Sequence, residues 1–388
     1  MNLSARAVWR AVVAAAVASA LALTPASVLA APGGRAAPPG VVDRGYAVST
    51  VPAGFRANSL SWTSPSRGRV LGTAPCGRRT CSDVIGTSNG GRTWRLFGKV
   101  SAPISVQHPG VTEIRFSTPE VGWAFGPRLF RTGDSGRSWA AVTIPGRGQQ
   151  ILDLAASPSG AYAVVSPCGW SAARCRERLS LWRTGPGARA PWTRIPLDLP
   201  VGTFADVAVF GTTVYVTAGG AKVEGKLYAS TDGRHFSPRP SPCDSALDLT
   251  LIQVVPTSAT HVAFLCDGNA GFSRAVKTVY RSANTGRTDT FAGRTGLRGI
   301  AAELAASPSG NLAVAAFSDG SFLYINDGRQ KAWTMVIGRG DGGAGWNDLT
   351  YVTRSQAWVV YAPAATAPGT GRVYVTRDAG RHWTAARM

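Results

Sequence analysis

The stretch Thr132-Gly-Asp-Ser-Gly-Arg-Ser-Trp139 is one of three close copies of the same phrase. The others are Thr87-Ser-Asn-Gly-Gly-Arg-Thr-Trp94 and Thr376-Arg-Asp-Ala-Gly-Arg-His-Trp383, so the shared pattern is Ser/Thr-x-Asp/Asn-x-Gly-x-x-Trp. We call this pattern the box phrase. Self-similarity at an interval of about 40 to 50 residues is typical of propellers and solenoids, because one such repeat cannot bury its apolar face alone.

Weaker copies of the box phrase fill the intervals between the clear ones. They surround positions 186, 232, 284 and 327, and the seven centres are separated by 45, 52, 46, 52, 43 and 51 residues. Each copy lies between two short apolar runs, which indicates a β-hairpin. The sequence therefore predicts an all-β fold over residues 46–388: a seven-bladed β-propeller of four-stranded antiparallel blades.

The chemistry of the box phrase is that of a turn. An Asp or Asn side chain accepts backbone N–H bonds from nearby residues, Gly supplies a positive φ, and Trp fills the seam to a neighbouring unit. We interpret these residues as structural and not as ligands or catalysts: Asn89, Gly91, Trp94, Asp134, Gly136, Trp139, Asp232, Asn284, Asp378, Gly380 and Trp383.

The box phrase resembles the motif of the Asp-box, or BNR-repeat, β-propellers. This family includes sialidases, sortilin-type receptor domains and propellers like the photosystem II assembly factors. The resemblance covers residues 46–388 and implies the fold. By resemblance to the sialidase-type members, ligands are expected on the top face, opposite the box turns.

The N-terminus indicates export. Arg6 and Arg10 precede an apolar run that is too short for a membrane span, and small residues follow it, so residues 1–30 are predicted to be a signal peptide cleaved near Ala30. Residues 31–45, rich in Pro, Gly and Ala, are predicted to be a disordered leader. We expect a secreted or cell-envelope protein without a transmembrane anchor.

Six cysteines in an exported chain indicate disulfides. Two spacings are local, Cys76 with Cys81 and Cys168 with Cys175, which leaves Cys243 with Cys266. The four His residues are scattered and no CxxC or HExxH motif occurs, so a zinc site is not expected.

The net charge is +20 at pH 7. Such a charge favours anionic partners, namely an acidic glycan, another envelope polymer or an exported protein. The alternative is that the excess of Arg reflects a coding bias, because the charge is not gathered into runs. No nucleic-acid recognition motif is present, so a nucleic-acid partner is not expected, and we expect a monomer.

Five carboxylates stand at equivalent positions early in the first strand of five blades: Glu113, Asp153, Asp206, Glu303 and Asp348. This placement predicts a ring of carboxylates around the central channel. One interpretation is structural, with each carboxylate accepting bonds from the next blade. The other is a site for a cation such as calcium or for a cationic ligand. No other cofactor is expected.

The loops predicted for the top face combine aromatic and basic side chains, which could stack on sugars and pair with acidic groups. The alternative is that they are ordinary loop residues, with Trp346 packed under the last blade. The candidates are Arg78, Arg79, Trp170, Arg174, Arg176, Phe272, Arg274, Arg298, Arg339 and Trp346.

The sequence favours a non-catalytic binding or scaffolding module over an enzyme. The resemblance implies that a sialidase would carry a Phe-Arg-Ile-Pro-like segment near its start, three Arg residues that bind the substrate carboxylate and a Tyr/Glu pair. Phe55-Arg56-Ala57-Asn58 is only a partial match to that segment, and the Arg-Ile-Pro at residues 194–196 is predicted on an outer strand. The alternatives are a sialidase-type glycosidase and an assembly factor for another exported protein.

Overall fold

The computed structural model describes residues 50–146, 150–168, 177–188, 190–202, 204–220, 223–243, 249–340, 345–362 and 371–388. The predicted signal peptide and leader lie outside the described residues. The strands form seven separate sheets, each with four consecutive antiparallel strands. The predicted seven-bladed, all-β propeller is therefore confirmed.

Each of the first four blades contains four strands, a to d, and strand a is the innermost. Blade 1 contains β1 (Arg56–Ser64), β2 (Arg67–Cys76), β3 (Arg79–Thr87) and β4 (Arg95–Val100). Blade 2 contains β5 (Glu113–Phe116), β6 (Gly122–Phe125), β7 (Leu129–Thr132) and β8 (Ala140–Val142). Blade 3 contains β9 (Gln150–Ser157), β10 (Gly160–Ser166), β11 (Ser180–Thr184) and β12 (Thr193–Ile195). Blade 4 contains β13 (Phe204–Phe210), β14 (Thr213–Gly220), β15 (Val223–Ser230) and β16 (Ser237–Arg239).

The remaining three blades follow the same order. Blade 5 contains β17 (Leu249–Pro256), β18 (Val262–Gly271), β19 (Arg274–Ser282) and β20 (Thr290–Arg294). Blade 6 contains β21 (Ala301–Ala306), β22 (Leu312–Phe317), β23 (Ser321–Asn326) and β24 (Thr334–Arg339). Blade 7 contains β25 (Gly345–Tyr351), β26 (Ala357–Ala362), β27 (Arg372–Thr376) and β28 (Thr384–Ala385). A 3-10 turn at Pro186–Ala188 lies in blade 3.

Burial falls from the inner strands to the outer ones. Every residue of β10 is buried, whereas β8 is exposed or half-buried throughout. The reason is that the inner strands lie between two neighbouring blades and lose solvent on both faces, so they are apolar runs without polar alternation. The apolar core is accordingly a series of clusters between adjacent blades.

The ring closes between blades 7 and 1. Trp358 of β26 stacks on Trp62 of β1 with ring centroids 4.5 Å apart, and Trp94 packs edge-on against both rings. From the sequence, residues 45–51 are predicted to close the ring by pairing with blade 7, which would remove an exposed strand edge. Residues 45–49 lie outside the described residues, and Thr50 and Val51 are not in a strand. Among the described residues, this aromatic packing and the hydrogen bond from the N–H of Ala57 to the carbonyl of Gly371 cross the seam.

The box phrase folds as a turn stapled by its own side chains. The hydroxyl of Thr132 donates to Oδ1 of Asp134 (2.8 Å) and accepts the N–H of Gly136 (2.9 Å), and the N–H of Ser138 donates to Oδ1 of Asp134 (2.9 Å). Trp139 closes the turn through Nε1, which donates to the carbonyl of Gly136. Equivalent hydroxyl and Asx bonds occur in the turns at Asn89, Asp232, Asn284 and Asp378.

The box turns lie on one face of the ring together with the turns between strands a and b. The backbone N–H of the box residue Ser135 donates to the carbonyl of Glu120, and the N–H of Ala379 donates to the carbonyl of Ser355. The turns between strands b and c, and the connections from one blade to the next, therefore lie on the opposite face. We keep the name top face for that opposite face.

Candidate functional site

The five predicted carboxylates lie in the innermost strands, and four of them link their blade to the next one. Val207 donates its N–H to Asp153 (2.8 Å), and Val254 donates its N–H to Asp206 (2.9 Å). In each case the donor is the residue directly after the equivalent position in the next blade, as Val207 comes directly after Asp206. The same link runs from Leu349 to Glu303 and from Leu60 to Asp348. The structural interpretation of these four side chains thus agrees with their contacts.

Two members of this ring were missed by sequence reasoning because they carry no charge. The N–H of Leu304 donates to Oε1 of Gln253 (2.6 Å), and the N–H of Ile114 donates to the hydroxyl of Ser59 (3.0 Å). The signal that could have found them is an acceptor immediately before an apolar residue early in strand a. We call the seven positions the inner ring: Ser59, Glu113, Asp153, Asp206, Gln253, Glu303 and Asp348.

Arg115 joins two of the inner-ring carboxylates. Its Nη2 lies 2.8 Å from Oε2 of Glu113 and 2.8 Å from Oδ1 of Asp348, two blades away. Burial raises the pKa of Asp348, an effect that outweighs the lowering by Arg115. This cluster places one guanidinium between two carboxylates, whereas the resemblance to sialidases implies several guanidinium groups around a ligand carboxylate.

The inner-ring carboxylates are buried. The five carboxylate residues are only 2% to 9% exposed. No group of three or more His, Cys, Asp or Glu side chains that could hold a metal ion occurs among the described residues.

The predicted top-face residues are in different surroundings. Arg78 and Arg79 are exposed at the tip of the β2–β3 hairpin, and Arg298 is exposed in the connection from blade 5 to blade 6. Arg339 is exposed but lies over the ring of Tyr374, at 5.8 Å from its centroid. Trp170, Arg174 and Arg176 lie outside the described residues.

Trp346 is the one described top-face candidate that the structure contradicts. Its side chain is only 1% exposed and packs edge-on against Tyr361 and Tyr374 in blade 7. A ring enclosed in this way cannot stack on a ligand from solvent. The prediction failed because Trp346 stands inside β25 and not in the Gly-rich loop before it.

The disulfides tie the top face. Cys76 and Cys81 are bonded across the β2–β3 hairpin, and Cys243 is bonded to Cys266 of β18. Cys168 is also disulfide-bonded, but its predicted partner Cys175 lies outside the described residues. Two of the three predicted pairs are thus confirmed.

A buried lysine lies beneath the top face of blade 5, where sequence reasoning placed no function. Nζ of Lys277 donates to the carbonyls of Ala275 (2.9 Å), Leu297 (3.2 Å) and Gly299 (2.8 Å). Burial lowers the pKa of Lys277 to about 8, although Asp267 on the neighbouring strand raises it. Burial likewise raises the pKa of Asp267 to about 7 against the effect of Lys277.

A cleft of about 580 Å³ opens on the top face between blades 2 and 3. Aliphatic side chains such as Ile144 and Val165 line it, and Arg128, His108 and Gln150 add polar groups. Gln150 is 4% exposed, and within the described part of the chain its Nε2 has no hydrogen-bond partner. Sequence reasoning missed this cleft because its lining comes from two blades and from no single motif.

No protein-family model matches the chain, and no curated protein matches it. Solved structures do match. A Mycobacterium tuberculosis puromycin-hydrolyzing peptidase has a TM-score of 0.57 at 13% identity, and the match covers 87% of this chain and 56% of that one. Oligogalacturonate lyase in complex with manganese has a TM-score of 0.53 at 9% identity, with 80% and 86% covered.

A third similar structure is YCF48 bound to D1 peptide, with a TM-score of 0.46, 17% identity, and 70% of this chain and 79% of that one covered. At such identities the likenesses to the peptidase and the lyase show the propeller fold alone, since one fold carries many functions. The match also covers only 56% of the length of the peptidase. We draw no substrate or partner from any of the three.

Proposed function

We propose that the protein is an exported Asp-box propeller that binds or scaffolds a partner at the bacterial cell envelope and catalyses no reaction. The observation that carries this proposal is the inner ring. Its carboxylates are the candidates for acid/base chemistry, yet they are buried and accept hydrogen bonds from the neighbouring blade or from Arg115. A carboxylate held in this way is not available to a substrate in the channel.

The top face supplies what a binding surface needs. Arg78, Arg79 and Arg298 are exposed there, and the chain as a whole carries a net charge of +20. Exposed guanidinium groups pair with carboxylates and phosphates in two-pronged geometry. The partner is accordingly anionic: an acidic glycan, another envelope polymer or an acidic surface of an exported protein.

The cleft between blades 2 and 3 supports a small anionic ligand as part of that partner. An unpaired amide N–H at Gln150, beside Arg128, favours a ligand group that accepts hydrogen bonds. The aliphatic lining would hold the apolar part of such a ligand. Gln150→Leu is expected to weaken retention on an acidic polysaccharide column if the cleft is used.

Enzyme activity is tested with a fluorogenic sialoside and the purified full chain. We expect no turnover above the buffer control. Turnover that disappears on replacing an exposed top-face carboxylate, Glu177→Gln or Asp319→Asn, would overturn the proposal in favour of a sialidase-type glycosidase. Asp232→Asn, in a box turn on the other face, is the matched control.

The type of partner is tested by retention on two matrices, one carrying purified acidic cell-wall polysaccharide and one carrying solubilised envelope proteins. Binding to the polysaccharide that is lost at high salt would indicate an anionic polymer, because charge contacts are screened. Retention of one protein at high salt would indicate the assembly-factor alternative. Failure on both matrices would contradict the proposed function.

Metal dependence and export are tested separately. Calcium up to millimolar concentration is expected to leave the melting temperature unchanged, because the inner-ring oxygens already hold hydrogen bonds. A rise in melting temperature would revive a cation site. Intact-mass measurement of the exported protein is expected to place its first residue near Ala31, and an uncleaved mass would contradict the predicted signal peptide.

A further inference from the structure

A solvent-exposed phenylalanine, Phe272, lies at the tip of the β18–β19 hairpin. Phe272 has the full exposure of a free side chain, 103%. Phe272 and Ser273 both have positive φ, 45° and 64°, in a two-residue turn that usually selects Asn-Gly. Both the conformation and the exposed ring cost free energy, since an L-residue is disfavoured at positive φ. We call Gly271–Arg274 the Phe272 knob.

The knob is fixed to the connection between blades 5 and 6. The carbonyl of Ser273 accepts the N–H of Gly299 (3.2 Å) and the hydroxyl of Ser318 (3.1 Å). The N–H of Ala275 donates to the carbonyl of Leu297 (3.0 Å). These bonds join the hairpin to the 297–299 connection and to the β22–β23 turn of blade 6, so the ring of Phe272 is presented by a braced turn.

Lys277 braces the same region from below. Its ammonium group donates to carbonyls of the hairpin and of the 297–299 connection at once, and the residue is fully buried. Burying an ammonium group is costly unless every donor is satisfied, as it is here. A buried charge used in this manner fixes the relative position of two surface segments.

The surroundings of the knob are apolar and cationic. Leu297 is 50% exposed in the braced connection, and Arg274 and Arg298 are exposed beside it. Among the described residues, Asp319 on the β22–β23 hairpin is an exposed acid of this region, and its carboxylate accepts a bond from Ser318. The balance of charge around the two apolar side chains is therefore positive.

We propose that the Phe272 knob inserts into an apolar pocket with an acidic rim on another exported protein. The proposal rests on the proposed function, since it names the partner of the same top face. A single ring that protrudes from a turn forms no concave site of its own, so the partner must supply the concavity that encloses it. Arg274 and Arg298 select an acidic rim, and a chain of net charge +20 is a poor partner for its own copy.

The pre-formed shape of the knob favours tight binding. A rigid aromatic side chain loses little conformational entropy on association, and aromatic anchors in desolvated pockets carry much of the affinity of protein interfaces. Truncating such an anchor commonly lowers affinity by at least about 30-fold. We therefore expect Phe272 to contribute more affinity than any of the exposed arginines around it.

The partner is identified by replacing Phe272 with the photo-crosslinking residue p-benzoylphenylalanine in the full chain, in the cells that export it. Phe210, a half-exposed phenylalanine on the box-turn face, receives the same residue as a control. We expect a protein adduct from position 272 and none of the same mass from position 210. An adduct with lipid, with glycan or with a second copy of the chain would overturn the proposal, as would no adduct.

The crosslinked protein is then purified and titrated with wild-type chain and variants. Phe272→Ala is expected to weaken binding about 30-fold or more, and Arg274→Glu with Arg298→Glu to weaken it and reduce its salt dependence. Phe210→Ala is expected to leave the affinity within about twofold. Equal affinity of Phe272→Ala and wild type would overturn the proposal that the Phe272 knob binds the partner, while leaving the proposed function intact.

A defined probe tests the knob without the partner. Carboxymethyl-β-cyclodextrin is a soluble apolar cavity with an acidic rim. By calorimetry, we expect this probe to bind the wild type weakly and saturably and not to bind Phe272→Ala. Uncharged hydroxypropyl-β-cyclodextrin is expected to bind the wild type more weakly than the charged probe. Binding that persists in Phe272→Ala would contradict the accessibility of the knob. If the wild type binds no envelope protein or polymer at all, the proposed function fails instead.

Discussion

The inner ring and the top face of blade 5 differ in what their side chains contact. Inner-ring side chains bond neighbouring blades, whereas Phe272 projects into solvent. In the inner ring the same acceptor position recurs from blade to blade, and six of the side chains accept a backbone N–H from the next blade. On the top face, Phe272 and Lys277 have no counterpart in that repeat. The comparison indicates that side chains repeated from blade to blade hold the ring, whereas Phe272, which is fully exposed, is available for a partner.

The strongest test of this difference is Asp348→Ala. Asp348 accepts the hydroxyl of Ser59 (2.5 Å) and the N–H of Leu60 (2.8 Å), and it pairs with Arg115. Removing one partner of a buried charged cluster commonly costs about 3–5 kcal/mol, because the remaining groups stay buried. We expect a loss of that size in the free energy of unfolding, measured by urea denaturation.

Asp319→Ala is the matched control on the top face. Asp319 is exposed and bonds only the neighbouring Ser318 hydroxyl among the contacts described for its carboxylate. Its removal is expected to change the free energy of unfolding by less than about 0.5 kcal/mol. Equal effects of the two variants would contradict the separation between inner ring and top face.

The second test uses pH and the buried pair beneath the knob. The pKa of Asp267 is about 7 in the folded chain, because burial raises it from 3.8. Between these values the folded state binds a proton that the unfolded state has lost, so the free energy of unfolding falls as pH rises. Asp267→Asn is expected to remove a fall on the order of 3 kcal/mol between pH 4 and pH 7.

The measurement is urea unfolding of wild type and Asp267→Asn at several pH values. The difference between them cancels the titration of all other carboxylates. Above pH 8 the sign reverses for Lys277, whose lowered pKa makes the unfolded state bind more protons, so stability rises towards pH 10.5. A pH-independent difference between the two proteins would show that Asp267 is not a buried acid.

The blade count could be predicted from sequence because the box turn needs particular residues. Only a hydroxyl, an Asx and a Gly at fixed spacing make the bonds seen at Thr132, Asp134 and Gly136. The same holds for the carboxylates of the inner ring, which stand out among apolar neighbours. Ser59 and Gln253 perform that task without charge, so the pattern of charges alone could not reveal them.

The top face was less predictable because its properties depend on contacts between segments distant in sequence. Lys277 would be expected in solvent, and only the carbonyls of the 297–299 connection explain its burial. Phe272 was placed on the correct face, but its full exposure follows from the φ values of its turn. Trp346 was predicted in a top-face loop, but β25 begins at Gly345, so Trp346 lies inside that strand.

A third test concerns the box turn itself. Thr132→Val keeps the shape of the side chain but removes the hydroxyl that bonds Asp134 and Gly136. A buried N–H at Gly136 is then left without its acceptor, so we expect a loss of about 2 kcal/mol in the free energy of unfolding. Ser138→Ala, which removes an exposed bond to the same carboxylate, is the control with a smaller expected effect.

The smallest effect on stability, and the sharpest on binding, is expected from paired arginines on the two faces. Arg78→Ala with Arg79→Ala removes two exposed charges from the top face, and Arg92→Ala with Arg377→Ala removes two from the box-turn face. Both pairs are expected to change the free energy of unfolding by less than about 0.5 kcal/mol. Because the net charge of the two variants is equal, elution from an acidic polysaccharide column isolates the position of the charge. We expect the top-face pair to elute at lower salt than the box-turn pair, and coincident elution would place the anionic partner on no particular face.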